Sequence, residues 1–190
     1  MFGDINEFAR DTGWLHGAVL DFAKYGVVAF AVLLVAGWWV ARERSARTMA
    51  AALWAGAGTL VAVAANQPLV NGFREARPYS DHHQILVLAT RSADYSFPSD
   101  HAVMAGAVAA GLWLVDRRLG IAASIAALLM AFARVYVAAH YPHDVLAGLA
   151  FGALVVLVGW WLLGGLLTRL IERLSSTALR PILAGGDSRA

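Results

Sequence analysis

The chain has 190 residues, 59% of them apolar and 15% charged, with a formal net charge of +2. A soluble domain carries about 25% charge, so this composition, with charge-free stretches of about 20 residues, excludes an ordinary soluble domain and reads as an integral membrane protein. The small net charge, with no basic patch interleaved with aromatics, argues against nucleic acid as a partner, and the absence of cysteine excludes disulfides and thiolate metal sites while leaving the redox compartment open.

In chain order, the first 16 residues carry Asp4, Glu7, Arg10 and Asp11 and lack the basic start and apolar run of a cleaved signal. Phe2, Ile5, Phe8 and Leu15 can share one apolar face, which fits a short amphipathic helix at the membrane interface and equally a loosely ordered terminus. Five apolar runs long enough to cross a bilayer follow, at 18–41, 47–69, 99–115, 120–139 and 145–167, the third at the lower limit of length. Polar breaks at 41–47, 71–98, 116–118 and 140–144 separate them. After Leu167, the run T-R-L-I-E-R-L-S-S-T-A-L-R reads as a short amphipathic extension and then a frayed end. The expected architecture is all-α: a polytopic transmembrane helical bundle of about five spanning helices, in a single domain over 1–190, with its motifs in 70–145 and a cytoplasmic tail at 168–190.

Arginine placement gives the orientation. Arg42, Arg44 and Arg47, then Arg117 and Arg118, then Arg169, Arg173 and Arg180 fall on one side of a five-span topology, which is therefore predicted to be cytoplasmic. Trp38, Trp39, Trp113, Trp160 and Trp161 lie near the same ends, as interfacial anchors do. The amino terminus, the 71–98 segment and the 140–144 break then face outward. Arg74, Arg77 and Arg91 run against this charge bias, and anion binding is one reason for arginines to do so.

Three clusters fall on that outer side: R-E-A-R-P at 74–78, P-S-D-H at 98–101, and A-R-V-Y-V-A-A-H-Y-P-H-D at 133–144. Each sits at a helix end, where unpaired N–H groups favour anions. Ser99 is placed to cap the third span, and Pro142 suits the first turn of the fifth. His140 and Asp144, four apart, share a face if that helix begins early. Arginine, histidine and carboxylate together suffice to hold, attack and orient around a phosphoryl group. Taken singly, each has a plainer reading: Ser99 as a cap, Arg77 as a snorkelling cation, His140 and His16 as interfacial polar groups, His82 and His83 as solvated loop residues. A metal site from His140, His143 and Asp144 is disfavoured by the proline between the histidines, and nothing resembles H-E-x-x-H. No metal and no other cofactor is expected.

In combination, R-P at 77–78, P-S-D-H at 98–101 and R-x5-H-x3-D at 134–144 resemble the three signature motifs of the type 2 phosphatidic acid phosphatase superfamily. The small size, the P-S-D-H variant and Tyr141, Pro142, Asp144 and Val145 look most like its bacitracin-resistance type of undecaprenyl-diphosphate phosphatases. The resemblance implies a metal-independent phosphatase built on a helical bundle. It implies His140 as a nucleophile forming a phosphohistidine, Asp144 as its orienting carboxylate, and His101 as the acid that protonates the leaving oxygen and then the base that activates water. It implies Arg77, Arg134 and Ser99 as phosphoryl ligands, with Pro78 and Asp100 in the binding motifs. The family's lysine seven residues before Arg77 is Val70 here, and Arg74 is the candidate to supply that charge. Asp100 stands where the family has glycine, and Ala133 where it often has serine. The implied substrate is a membrane polyprenyl diphosphate, cleaved on the outer face of a bacterial plasma membrane in carrier-lipid recycling for cell-wall synthesis. Phosphatidic acid or phosphatidylglycerophosphate as substrate, and a transporter that binds a phosphorylated lipid without cleaving it, are the alternatives. The sequence gives no oligomeric state.

Overall fold

The structure, a computed structural model, describes residues 1–183, all helices and connecting turns with no strand among them. In chain order, α1 spans Phe2–Asp11, a 3₁₀ turn Gly13–Leu15, α2 His16–Tyr25, α3 Val27–Ala41, α4 Ala46–Phe73, α5 Pro78–Asp81, α6 Asp100–Trp113, α7 Arg117–Tyr136, α8 Pro142–Leu174 and α9 Arg180–Leu183. Local chemistry sets the boundaries. Ser45 caps α4 by accepting from Thr48 N at 3.2 Å, and Asp116 caps α7 by accepting from Arg118 N at 2.8 Å and Leu119 N at 3.2 Å. Both are ordinary N-caps that satisfy otherwise orphaned donors. Pro142 opens α8 as expected, where a missing N–H costs nothing.

Helix α6 is the centre of the bundle. Ala102, Val103 and the run Ala105–Leu112 are all buried, and α3, α4, α7 and α8 pack around it. Its alanines and glycines let neighbouring backbones approach closely, as small residues do between membrane helices. A Cβ on Gly152 of α8 would run into the backbone of Val103, and one on Gly148 would lie 2.8 Å from the Ser99 carbonyl oxygen. The indole of Trp54 ties α4 to α8 by donating to the Val156 carbonyl at 2.9 Å.

The span count differs from the sequence expectation. Three segments, Ala46–Asp81, Arg117–Tyr136 and Pro142–Leu174, are long and apolar enough to cross a membrane; the bent pair Gly13–Tyr25 with Val27–Ala41 is a fourth if its two helices form one span. The run at 18–41 is thus not one straight helix. It bends by 54° at Gly26, whose missing side chain leaves room for Met130 and Phe22. The run at 99–115 forms only the 14 residues of α6. At 1.5 Å per residue that is about 21 Å, short of the roughly 30 Å hydrocarbon core. Its burial inside the bundle spares it from meeting lipid on its own.

The two ends of the bundle are chemically distinct. At one end the basic breaks are gathered: Arg44 pairs with Asp116 at 2.7 Å, and Arg42 and Trp38 donate to the carbonyls of Pro181 at 2.8 Å and Ile182 at 3.1 Å. The stretch after Leu167 continues α8 to Leu174 and turns into α9, while the frayed end expected beyond 183 lies outside the described residues. At the other end, α1 is an ordered helix whose apolar face packs largely on the protein. Ile5 and Leu15 lie against buried Tyr136 and Val137, Phe2 against a neighbouring cluster, and Phe8 stays largely exposed. Asn6, buried, clamps the 82–99 loop through both backbone groups of Leu86, at 2.7 and 3.0 Å. Leu88 N and Ala89 N donate to the Val137 carbonyl at 3.3 and 3.0 Å.

Candidate active site

Four segments converge at the α1 end: the turn before α5, the 92–99 part of the loop, the amino terminus of α6, and the link from α7 to α8. Helix α7 ends because Ala138 takes a left-handed backbone, φ 59°, and the N–H groups of Ala139 and His140 return to the Arg134 carbonyl at 3.1 and 3.3 Å. A non-glycine residue in this conformation costs about 1 kcal/mol or more, and the turn swings His140 in beside Arg134. Pro78 is buried at the first position of α5, which holds Arg77 just ahead of that helix.

His140 is buried with both ring nitrogens engaged. Nδ1 lies 2.9 Å from the Ser96 carbonyl oxygen, which can only accept, so Nδ1 carries the hydrogen. The Asp144 carboxylate stands 3.4 Å from the same nitrogen. Helix α8 starts too late to carry His140. The two meet because Asp144 folds back on its own helix terminus, its Oδ2 accepting from Tyr141 N at 2.9 Å and from the Ser96 hydroxyl. Nε2 is left as a lone pair, 3.2 Å from Arg77 Nη1. Burial first, then the Arg134 and Arg77 charges, push the imidazole down to about 4 against the pull of Asp144.

Arg77 is held from several sides. Nη1 also donates to the Ala139 carbonyl at 2.8 Å, Nε to the Asp94 carbonyl at 3.2 Å, and Nη2 to Asp94 Oδ2 at 3.0 Å. Burial pushes the Asp94 carboxyl up, but the hydrogen bonds from Ser92 and Arg77 outweigh it and keep it below the usual range. Arg134 gives Nη1 to the Ala23 carbonyl at 3.3 Å. Its Nε and the Ser99 hydroxyl are buried without protein hydrogen-bond partners. Ser99 holds the cap position of α6 but makes no side-chain cap bond, unlike the expectation from sequence. Two unpaired buried polar groups are unusual enough to need a reason; as donors they suit an oxyanion.

A cavity of about 450 Å³ is walled by Arg77, Arg134, His101, His140, Asp100 and Val70 among others; Ser99 does not line it. Asp144 stands behind His140, outside the lining. Asp100 makes no ion pair with an arginine among the described residues: its Oδ1 accepts from Asn66 at 2.8 Å and Gln67 at 3.0 Å, tying α4 to α6. Arg74 is not brought to the cavity. It ends α4 in a left-handed conformation, φ 51°, exposed, with Nε on the Asn71 carbonyl at 3.1 Å. It therefore does not supply the charge missing at Val70. Asp94, Ser96, Asn66 and Gln67 were not singled out from the sequence; their roles come from the folded loop and from α4, and no motif marks them. A second, apolar cavity of about 650 Å³ runs between α3 and α4 over α6 and shares Gln67, Asp100 and His101 with the first.

A cluster suited to a cation is not the one considered from sequence. Glu75, His143 and Asp144 place one ligand atom each within 4.8 Å of one another, with His143 Nε2 2.8 Å from Glu75 and 3.0 Å from Asp144. His140 is not one of the three.

The comparisons with known proteins agree with the motifs. The model of the PAP2 superfamily matches residues 51–167. The undecaprenyl-diphosphatase BcrC of Bacillus subtilis is 32% identical over 145 residues, covering 74% of this chain and 73% of that protein. The bacitracin transport permease protein BcrC of Bacillus licheniformis is 26% identical over 160 residues, covering 84% and 77%. Among solved structures, the transmembrane PAP2-type phosphatidylglycerolphosphate phosphatase of Bacillus subtilis superposes with a TM-score of 0.62, at 21% identity over 90% of this chain and 85% of that one. At that identity the match speaks for the fold.

Proposed function

This chain belongs to the PAP2 superfamily, and from that premise we propose that it cleaves the terminal phosphate from a polyprenyl diphosphate, undecaprenyl diphosphate foremost, leaving the monophosphate. The observation that carries the chemistry is the buried, neutral His140 with its Nε2 lone pair beside Arg77. A nucleophile of this kind needs no deprotonation before attack. Nε2 attacks the terminal phosphorus, and the bond from phosphorus to the bridging oxygen breaks. The lipid monophosphate departs with a proton from His101, which the negative charge of the bound diphosphate holds in its protonated form, and a phosphohistidine remains. Water then attacks that phosphorus, His101 takes its proton, the P–Nε2 bond breaks, and inorganic phosphate and neutral His140 are restored. Arg77, Arg134, the Ser99 hydroxyl and the first N–H groups of α6 stabilise the equatorial oxygens, which is most of what phosphoryl transfer asks of a protein. Asp144 and the Ser96 carbonyl hold Nδ1–H while the ring is charged.

The choice of substrate rests on the names of the relatives and on the apolar cavity that meets the polar one at Gln67, Asp100 and His101. An outward-facing polar end is supported by the arginine-rich turns gathered at the opposite end. The whole chain acts as one membrane-embedded domain, with the segment after 167 on the cytoplasmic side. Phosphate release by the detergent-purified protein, in EDTA, from undecaprenyl diphosphate, phosphatidic acid and phosphatidylglycerophosphate tests this, with His140→Ala as control. Preference for the diphosphate, lost in the variant, is the expected result; equal turnover of all three would replace it with a general lipid phosphatase.

A further inference from the structure

The guanidinium groups at the centre of the site are reachable from two sides. Besides the main cavity, a second one of about 250 Å³ opens between α2 and the 89–92 loop, over α7. Both are lined by Arg77, Ser92, His101 and Arg134, so they are two approaches to one centre. Their walls differ in sign. The main cavity carries two carboxylates, Asp94 and Asp100. The second carries none. It adds Lys24, the only lysine of the chain, to the two arginines, with the hydroxyls of Thr90 and Ser92 beside them.

We propose that this second opening is an oxyanion site gated by Lys24, binding inorganic phosphate on its way out of the centre. The proposal rests on the reading of the centre as a phosphoryl-transfer site. Once the phosphohistidine is hydrolysed, the phosphate lies among Arg77 and Arg134. The apolar cavity that would hold the lipid tail meets the main one at Gln67, Asp100 and His101, so the lipid product stands on that side. On that side a departing dianion meets the carboxylates of Asp94, paired with Arg77, and Asp100; on the other it meets a wall whose only charged side chains are cations, and narrow clefts of one sign draw their counter-ion. Arg134 forms the floor shared by both routes, with its Nε unpaired. The Lys24 ammonium has no ion-pair partner among the described residues. It hydrogen-bonds the Tyr25 hydroxyl and lies 4.9 Å from the centroid of that exposed ring, surface contacts that a phosphate oxygen can displace. Asp21, one turn earlier on α2, is exposed and its charge acts on Lys24, but it does not line the opening.

The test uses the full-length purified protein and Lys24→Ala, Lys24→Glu and Lys24→Arg. Inhibition of lipid-diphosphate turnover by inorganic phosphate and by orthovanadate is measured together with KM, and phosphate is titrated calorimetrically into each protein. Lys24→Ala should weaken phosphate inhibition and binding about three- to tenfold, as loss of one partly exposed charge contact does, with KM for the lipid within about twofold. Lys24→Glu should weaken it further and Lys24→Arg should restore it. Unchanged phosphate affinity in both Lys24→Ala and Lys24→Glu overturns the proposal. So does a parallel rise of KM and the inhibition constant, which would make Lys24 a source of general field. Calorimetry separates this from the assignment of function: wild-type protein that cleaves no lipid but binds phosphate through Lys24 sinks the enzyme reading and leaves the site standing.

Discussion

The His140 imidazole gives its Nδ1 hydrogen to the backbone carbonyl of Ser96, 2.9 Å away, and only secondarily faces the Asp144 carboxylate at 3.4 Å. A backbone acceptor cannot be removed by substitution, so the tautomer that leaves Nε2 as a lone pair is fixed even without Asp144. Where an aspartate alone sets the tautomer, replacing it with asparagine costs about 10⁴-fold. Here Asp144→Asn should cost less, about 10²–10³-fold in kcat/KM, the part due to stabilising the charged ring. Steady-state kinetics on the lipid diphosphate check this, and a loss of 10⁴-fold or more would return the orienting role to Asp144.

The two histidines should separate by step. His140→Ala should show no turnover and no acid-labile phosphoenzyme in rapid-quench experiments with labelled substrate. His101→Ala should lose about 10²–10⁴-fold while still allowing slow labelling of His140. If His140→Ala retains turnover, the nucleophile is elsewhere. If His101→Ala turns over normally, water carries the leaving-group proton.

Acid should affect the enzyme late. An ordinary histidine is half protonated near pH 6.5, whereas burial and the neighbouring guanidiniums push His140 down to about 4. In the proposed mechanism protonation removes the attacking lone pair, so activity should be present above the lowered value and lost as pH falls through it. The enzyme's acidic limb in kcat/KM should therefore lie below about pH 5. Comparing a diphosphate with a monophosphate lipid identifies any limb that moves with the substrate. An invariant limb near 6.5 would mean that His140 is not the group titrating, or that it is not shielded.

The gathering of much of the candidate site follows from residue order because its members lie at helix ends. Arg77, His101, Arg134 and His140 fall where apolar runs stop, and the bundle brings those stops together at one end. Ser99, by contrast, reads as a cap and is none: its hydroxyl is buried without a protein partner, while Gly148 approaches its backbone carbonyl closely. Arg74 has the right spacing from Arg77, yet a left-handed turn at that residue sends it outward, and no pattern of residue types announces such a turn without glycine. The third apolar run looks like a span because composition records burial without saying whether lipid or protein does the burying; α6 is enclosed by helices. Ser96 contributes mainly a backbone carbonyl, which has no signature in sequence at all.

Asp100 shows how a charge in a motif can serve the frame. Its Oδ1 collects the side-chain amides of Asn66 and Gln67 at 2.8 and 3.0 Å, and Asn66, fully buried, also reaches the Pro98 carbonyl at 3.1 Å. These bonds fasten α4 to the start of α6, where His101 and Ser99 are carried. Asp100→Ala strips the acceptor from a buried amide, and the expected cost is about 1–3 kcal/mol of stability, read as a lower apparent Tm in detergent with a proportionate loss of activity. Asp100→Asn keeps an oxygen where Oδ1 lies and should hold most of the Tm. Asp100→Gly should fall below Asp100→Ala by a further increment of up to about 1 kcal/mol for the added freedom in the first turn of α6. If instead Asp100→Asn keeps its Tm but loses kcat/KM by more than about 10²-fold, a general acid–base share of the rate, the carboxylate acts on the reaction itself and its ties to α4 are secondary.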